Sequence, residues 1–358
     1  MTNYESVRQL VESLPPGASA SSRDVKWLTG SQVIGVARDP DGQVEVFLAG
    51  PELNPISTSV ADAVEFHTWH RADASPLQAN RILLPALGHF DQVAAFICTE
   101  LVRNGAEDRL VQAFAKTEPI IELAIERLRL SNLAIAGLAG ELLLLDALCR
   151  RGVDSAVGSI VDSWAGWRRS SRDFSLGATG VEVKTTLART SSHFIEGIHQ
   201  VELSDGSAGG PPENRLYLIS VGLQPAEAGR STASIPQLVD RIVDRMKSTG
   251  NGFAVAKLLA RIAEYGAAFG NGYEHGSQAA DPAYATSFVT TFFRGFDMAG
   301  EAVQVLRRQD VLARPHVDLN FVKFRIDLPV VVGHDNPVNG PNQVALAILG
   351  ASATSDRR

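Results

Sequence analysis

Four residues of this 358-residue chain have the types and order of phosphodiester chemistry: Glu141, Asp173, Glu182 and Lys184. Glu182 and Lys184 lie in a short apolar run, Val181-Glu182-Val183-Lys184-Thr185. In a β-strand, residues two apart share a face, so the acid and the ammonium project together while Val181 and Val183 face the other way. A charged pair on an otherwise apolar strand is costly to bury unless a metal or partner ion balances it. Mg²⁺ takes oxygen ligands in octahedral geometry and is usually held by one or two carboxylates, with water and phosphate completing the shell. Asp173 and Glu182 are the natural carboxylate pair. The backbone carbonyl of Val183 can supply a third oxygen, and Glu141 can touch a second metal or a metal-bound water. Mg²⁺ or Mn²⁺ there would lower the pKa of a bound water and neutralise charge on the phosphorane. Lys184 would orient that water or stabilise the phosphate charge.

The acid-x-lysine tripeptide alone is a weak signal. Lys26 also sits two residues after an acid, in Asp24-Val25-Lys26, and there only a surface ion pair is expected. Context separates the two. Asp173 precedes Glu182 by nine residues, with Gly177 and Gly180 between them as turn signals, so a hairpin brings both acids to one edge.

The order Gly-Glu-Leu-Leu at 140–143, Trp-x-Gly at 164–166, Asp-Phe at 173–174, Val-Glu-Val-Lys-Thr-Thr at 181–186, His193 and Gln200 resembles the core of the PD-(D/E)xK nucleases over residues 131–224. It resembles most the bacterial branch described as PD-(D/E)xK family members without further characterisation. The resemblance implies a restriction-endonuclease-like central mixed sheet flanked by helices. It implies metal binding by Asp173 and Glu182, catalytic help from Lys184 and assistance from Glu141. It also implies a setting in anti-phage gene clusters beside a MutL-like ATPase. One departure is that Arg172 stands where the motif's name has proline.

The chain is weakly acidic, with 33 Lys and Arg against 40 Asp and Glu and a net charge of −7, which argues against strong non-specific DNA binding by the whole surface. The segment 164–193 differs: Arg168, Arg169, Arg172, Arg189 and Lys184 against Asp173 and Glu182 make five minus two, or +3. We expect those four arginines, with Gln200, to meet nucleic acid. No apolar run is long enough to span a bilayer, and no secretory leader is visible at the start. Cys98 and Cys149 sit in apolar helical patterns and read as buried free thiols, which points to the cytoplasm. His67, His70 and His89 lack metal-ligand spacing and read as structural or surface groups.

The elements that must position these groups follow from periodicity. Residues 1–110 read as an N-terminal α+β domain: a helix over 4–13, a hairpin of 32–37 and 43–49 around Asp39-Pro40-Asp41-Gly42, a strand over 64–70, and a helix over 91–103. Residues 111–230 read as the nuclease core. Its helices are 118–130 and 132–150, parted at Ser131, and its strands are 159–164, 173–176, 181–186 and 215–222, with a helical crossover at 192–203. Residues 231–350 add helices at 235–247 and 253–265 and strands at 287–296, 303–307 and 317–328. Residues 351–358 are expected to be a disordered tail. The functional expectation is a Mg²⁺-dependent DNA endonuclease subunit of an anti-phage or restriction system, with a homodimer left open. The alternative is a non-catalytic DNA-binding or scaffold subunit that keeps the nuclease fold. A serine or cysteine hydrolase finds no nucleophile motif.

Overall fold

A computed structural model describes all residues except 1–2, 20–21, 72–73, 85–87, 169, 207–211, 227–228, 230, 268–271 and 356–358. In chain order the first elements are α1 (Tyr4–Glu12), β1 (Lys26–Trp27), β2 (Ile34–Arg38), β3 (Val44–Ala49), α2 (Thr58–Ala61), β4 (Val64–Arg71), β5 (Ala74–Leu84), α3 (Gly88–Arg103) and α4 (Leu110–Arg151). Then come α5 (Val157–Ser163), β6 (Phe174–Leu176), β7 (Thr179–Thr186), β8 (Ser192–Ile195), β9 (Arg215–Pro225), β10 (Thr232–Ala233), α6 (Ile235–Ser248) and α7 (Val255–Glu264). The last are α8 (Pro282–Ala285), β11 (Phe288–Asp297), α9 (Arg308–Leu312), β12 (Phe324–Asp327), β13 (Val338–Asn339) and α10 (Pro341–Ser355).

The chain divides into two compact units, Met1–Leu130 with Asp281–Ala283, and Ser131–Ala280 with Tyr284–Arg358. The boundary thus falls at Leu130, twenty residues beyond the expected one at 110, and the segment 231–350, apart from Asp281–Ala283, belongs to the same unit as residues 131–230. The first unit is an antiparallel sheet in the order β1-β2-β3-β5-β4. Its β2–β3 turn carries Gly42 at φ 84°, a conformation glycine adopts without strain. The strand β5 was not anticipated, because Pro76 and Asn80 interrupt its apolar pattern. Asn80 is fully buried there, and its side chain accepts from the Leu53 amide and donates to the Pro51 carbonyl.

The second unit is a mixed sheet in the order β10-β11-β9-β7-β6, with β13 on β11. β7 and β9 run parallel, and β6–β7 and β9–β11 antiparallel. β9 is buried from Leu216 to Leu223, as a central strand covered on both faces should be. The mixed α/β architecture expected from the sequence is the one found.

Five local expectations are corrected. First, α4 does not break at Ser131 but runs 42 residues unbroken; one serine in a helix interior costs only a few tenths of a kcal/mol, too little to end a helix. Second, residues 157–163 are helix rather than strand, since Val157, Ile160 and Val161 are buried at the i, i+3, i+4 spacing of a helix face. Third, the crossover is not helical. Its residues 192–195 alternate in burial and pair with β12, and a 3₁₀ turn, Ile198–Gln200, follows. Fourth, 303–307 makes no strand, and of 317–328 only β12 is one. Fifth, α10 continues to Ser355, five residues into the expected tail.

Candidate active site

The β6–β7 hairpin places the acids. Trp164 ends α5 and bridges to Phe174, and the Ala165 amide donates to the Asp173 carbonyl at 2.7 Å, which fixes the start of β6. The Asp173 carboxylate then accepts from the Val183 amide at 2.7 Å, so it lies beside the backbone that follows Glu182. Glu182 and Lys184 share a face as the alternation requires: Nζ stands 3.0 Å from Oε1 of Glu182. Lys184 also donates to Oε1 of Gln200 at 3.1 Å, and that oxygen accepts from the Glu196 amide at 2.9 Å. Gln200 is therefore an anchor for the lysine.

Glu141 reaches the same place from α4. One of its oxygens accepts from Trp164 Nε1 at 2.7 Å and the other from the Tyr265 hydroxyl at 2.9 Å. Two glycines make this closeness feasible. A Cβ at Gly166 would lie 1.8 Å from Oε2 of Glu141, and a Cβ at Gly140 would lie 2.0 Å from Oγ1 of Thr185 on β7. The bare Gly140 lets α4 approach β7, and the bare Gly166 lets the loop after α5 approach the Glu141 carboxylate. The Thr185 hydroxyl is buried and has no hydrogen-bond partner among the described residues.

Glu141 and Glu182 are buried and Asp173 is half-buried. Loss of hydration pushes the Asp173 carboxyl up to about 8, and the Glu141 charge adds to the push. Burial likewise raises Glu182 to about 8, with Asp173 adding, and Glu141 to about 7 against the pull of its Trp164 and Tyr265 donors. Lys184 opposes all three shifts, but one ammonium faces three carboxylates. Behind it, burial and the Lys184 charge press the His193 imidazole down to about 4, so it is neutral. Its Nε2 lies 2.6 Å from Oγ of Ser220, which pairs in register with Lys184 on the neighbouring strand.

A family model described as "Putative PD-(D/E)XK family member, (DUF4420)" matches residues 32–283. The chain belongs to that family. Members of the PD-(D/E)XK superfamily are typically nucleases, and the family's span holds all the groups above. Neither a curated protein nor a solved structure matches the chain.

Of the groups expected to meet nucleic acid, Arg168 and Arg189 are exposed, and Arg169 lies outside the described residues. Arg172 is a correction. It is 2 % exposed and its guanidinium is fully engaged. It pairs with both Glu213 oxygens at 2.8 and 2.7 Å and donates to the carbonyls of Ser171, His199 and Glu202. Five donors in a planar fork suit this task, which ties the crossover to the hairpin and leaves nothing for a phosphate. Of Val183 the structure engages the amide, on Asp173. Among the described residues no group of three or more His, Cys, Asp and Glu side chains has metal-holding geometry. The donor set still fits a hard cation: its groups are carboxylate oxygens, crowded and short of positive charge.

Sequence reasoning missed Tyr265. It lies beyond the end of α7, more than a hundred residues after Glu141, and a lone tyrosine there carries no local signal.

Proposed function

We propose that this protein is a metal-dependent phosphodiesterase acting on nucleic acid, with DNA as the substrate to test. One observation carries the reading: three buried or half-buried carboxylates, Glu141, Asp173 and Glu182, converge on a single lysine. No structural economy accounts for such a set, because buried like charges without counter-charge cost stability. Active sites are where such costs accumulate.

The roles follow from the contacts. Asp173 and Glu182 would hold Mg²⁺ or Mn²⁺, which when bound supplies Lewis-acid activation of phosphate and water. Lys184, held by Gln200 and Glu182, keeps an ammonium at a fixed point for the charge that grows on the phosphate. Glu141 is held rigid by donors on both oxygens, so it orients without swinging. His193 is neutral at ordinary pH and adds no charge to compete with Lys184.

The test is cleavage of plasmid and linear DNA by purified protein in Mg²⁺, with excess chelator and Glu182→Ala as controls. The MutL-like ATPase that the family resemblance suggests is the partner to add. Cleavage that needs the metal and is lost in the variant supports the proposal. Cleavage surviving chelator would refute it. DNA binding without cleavage, with or without the ATPase, would favour a scaffold subunit.

A further inference from the structure

A stacked aromatic pair and a cation-on-ring pair occur where α7 meets the loop after α5. In the inner pair, the Trp164 and Tyr265 rings stack at 6.3 Å with planes 17° apart, and both donate to Glu141. In the outer pair, Arg261 replaces the tyrosine and Trp167 the tryptophan. Arg261 is four residues before Tyr265, one helical turn away on the same side of α7. Trp167 is three residues after Trp164, just beyond Gly166, where an added Cβ would run into the Glu141 carboxylate. The inner pair is absorbed by the site. The outer pair has no part in the chemistry proposed above.

Trp167 is half-buried and carries two guanidiniums, that of Arg168 at 5.3 Å and that of Arg261 at 5.7 Å from the ring centre. Arg261 is anchored by Asp162 at 3.1 Å and by the Val161 carbonyl at 3.2 Å, and Lys257 shares Asp162 at 2.7 Å. Arg168 is exposed. The local balance of Arg168, Arg261 and Lys257 against Asp162 is three minus one, or +2. An indole with two guanidiniums over its ring, one residue from a candidate phosphodiester site, offers what a single strand needs: a ring on which a base can stack once the exposed Arg168 swings aside, and cations for the flanking phosphates. A closed duplex cannot use the indole, since its bases are already stacked.

We infer that Trp167, with Arg168 and Arg261, is a stacking site for an unpaired base of the nucleic acid, so that the protein takes single-stranded or locally opened substrate. The inference rests on the phosphodiesterase reading, and binding tests it separately from cleavage. The shared ligand chemistry is an unpaired base between phosphates, and DNA and RNA are its two sources.

The experiment is fluorescence anisotropy of wild-type protein in chelator with three labelled probes of one sequence: single-stranded DNA, single-stranded RNA and blunt duplex DNA. Wild type should prefer a single strand to the duplex, and the stronger of the two single strands names the source. Trp167→Ala should weaken single-strand binding about 5- to 100-fold, the worth of one stacked base, and leave the duplex nearly unchanged. Trp167→Phe should keep most of the affinity. Arg168→Glu, on an exposed side chain that cannot threaten folding, should weaken single-strand binding at least about 10-fold at low salt and less at high salt. Unchanged single-strand affinity in Trp167→Ala, or in Arg168→Glu should the tryptophan variant not fold, overturns the inference, as does an equal loss for the duplex. If single-strand binding falls as expected but no probe is cut in Mg²⁺, the phosphodiesterase reading fails and the stacking site stands. If cleavage is seen and Trp167→Ala binds normally, the reverse holds.

Discussion

Asp24-Val25-Lys26 and Glu182-Val183-Lys184 are the same acid-Val-Lys pattern in two settings, and they form nearly the same ion pair. Lys26 Nζ lies 2.9 Å from Asp24, and Lys184 Nζ lies 3.0 Å from Glu182. The distance says nothing about function. The surroundings do. The side chains of Lys26 and Asp24 are 47 % and 69 % exposed, where water does most of the solvation, whereas those of Lys184 and Glu182 are 17 % and 6 % exposed. In the first pair Lys26 begins an edge strand and Asp24 lies in the loop before it. The second has two more carboxylates, a glutamine anchor and a neutral histidine around it.

A buried acid is not enough either. Glu45 in the first unit is fully buried, yet each of its oxygens meets an arginine, Arg23 on one and Arg81 at 2.8 Å on the other. There two cations serve two carboxylates, since Arg81 also pairs with Glu65, and the cluster is a structural ion network. Around Lys184 one ammonium faces three, with the Arg172 charge, itself bound to Glu213, adding to the pull on Asp173 and Glu182. The sign and size of that imbalance separate a candidate site from a staple.

The comparison can be broken most sharply by deletion of ligands. Asp173→Ala or Glu182→Ala is expected to abolish metal-dependent cleavage, while circular dichroism shows a retained fold. Next in size is Lys184→Ala, expected to slow cleavage about 10²- to 10³-fold at saturating metal, with metal affinity kept because the lysine is no ligand. Lys184→Arg should rescue poorly, since a planar fork does not replace a compact ammonium. Single-turnover rates and metal titration on the same preparation decide this.

A Cβ added beside Glu141 should come third. Gly166→Ala forces the Glu141 carboxylate off its Trp164 and Tyr265 donors and is expected to cost about 1–3 kcal/mol of stability, together with activity. Thermal denaturation with a cleavage assay would show it, and unchanged values in both would contradict the packing described here.

The pH response of the metal-free protein should be smaller. Glu141, Asp173 and Glu182 have folded pKa values raised above the unfolded range to about 7, 8 and 8. Each therefore stabilises the fold fully below the unfolded carboxylate pKa, and that contribution is lost as pH rises through the folded value. Melting temperature in chelator should thus fall between about pH 4 and pH 8 from this cause, and Glu182→Gln should flatten the fall. A flat wild-type profile would remove the case for uncompensated carboxylates. Smallest of all, Lys26→Ala should leave cleavage unchanged and cost well under about 1 kcal/mol, as an exposed pair does.

Much of the site was legible because its rules are local. Strand alternation alone puts Glu182 and Lys184 on one face, and Gly177, at φ 59°, announces the turn that returns Asp173 beside them, whereas Gly180, also expected in the turn, lies in β7 opposite Ser175. The hairpin of the first unit was readable from Asp-Pro-Asp-Gly for the same reason. Periodicity failed where one residue's meaning depends on a distant partner. Arg172 looks like a rim arginine until Glu213 is brought to it, and 192–195 looks like a rough helix until β12 supplies a strand to pair with.

The sequence by itself determined which residue types face each other along one strand and where the chain turns, since backbone geometry enforces both within a few residues. The tertiary structure alone decided the rest. It brought Tyr265 onto Glu141, closed α4 on β7 through Gly140, set Trp167 beside Arg261, and stripped water from three carboxylates at once. Hydration and charge balance depend on everything within a few ångströms in space, and the chain reaches those neighbours only by folding.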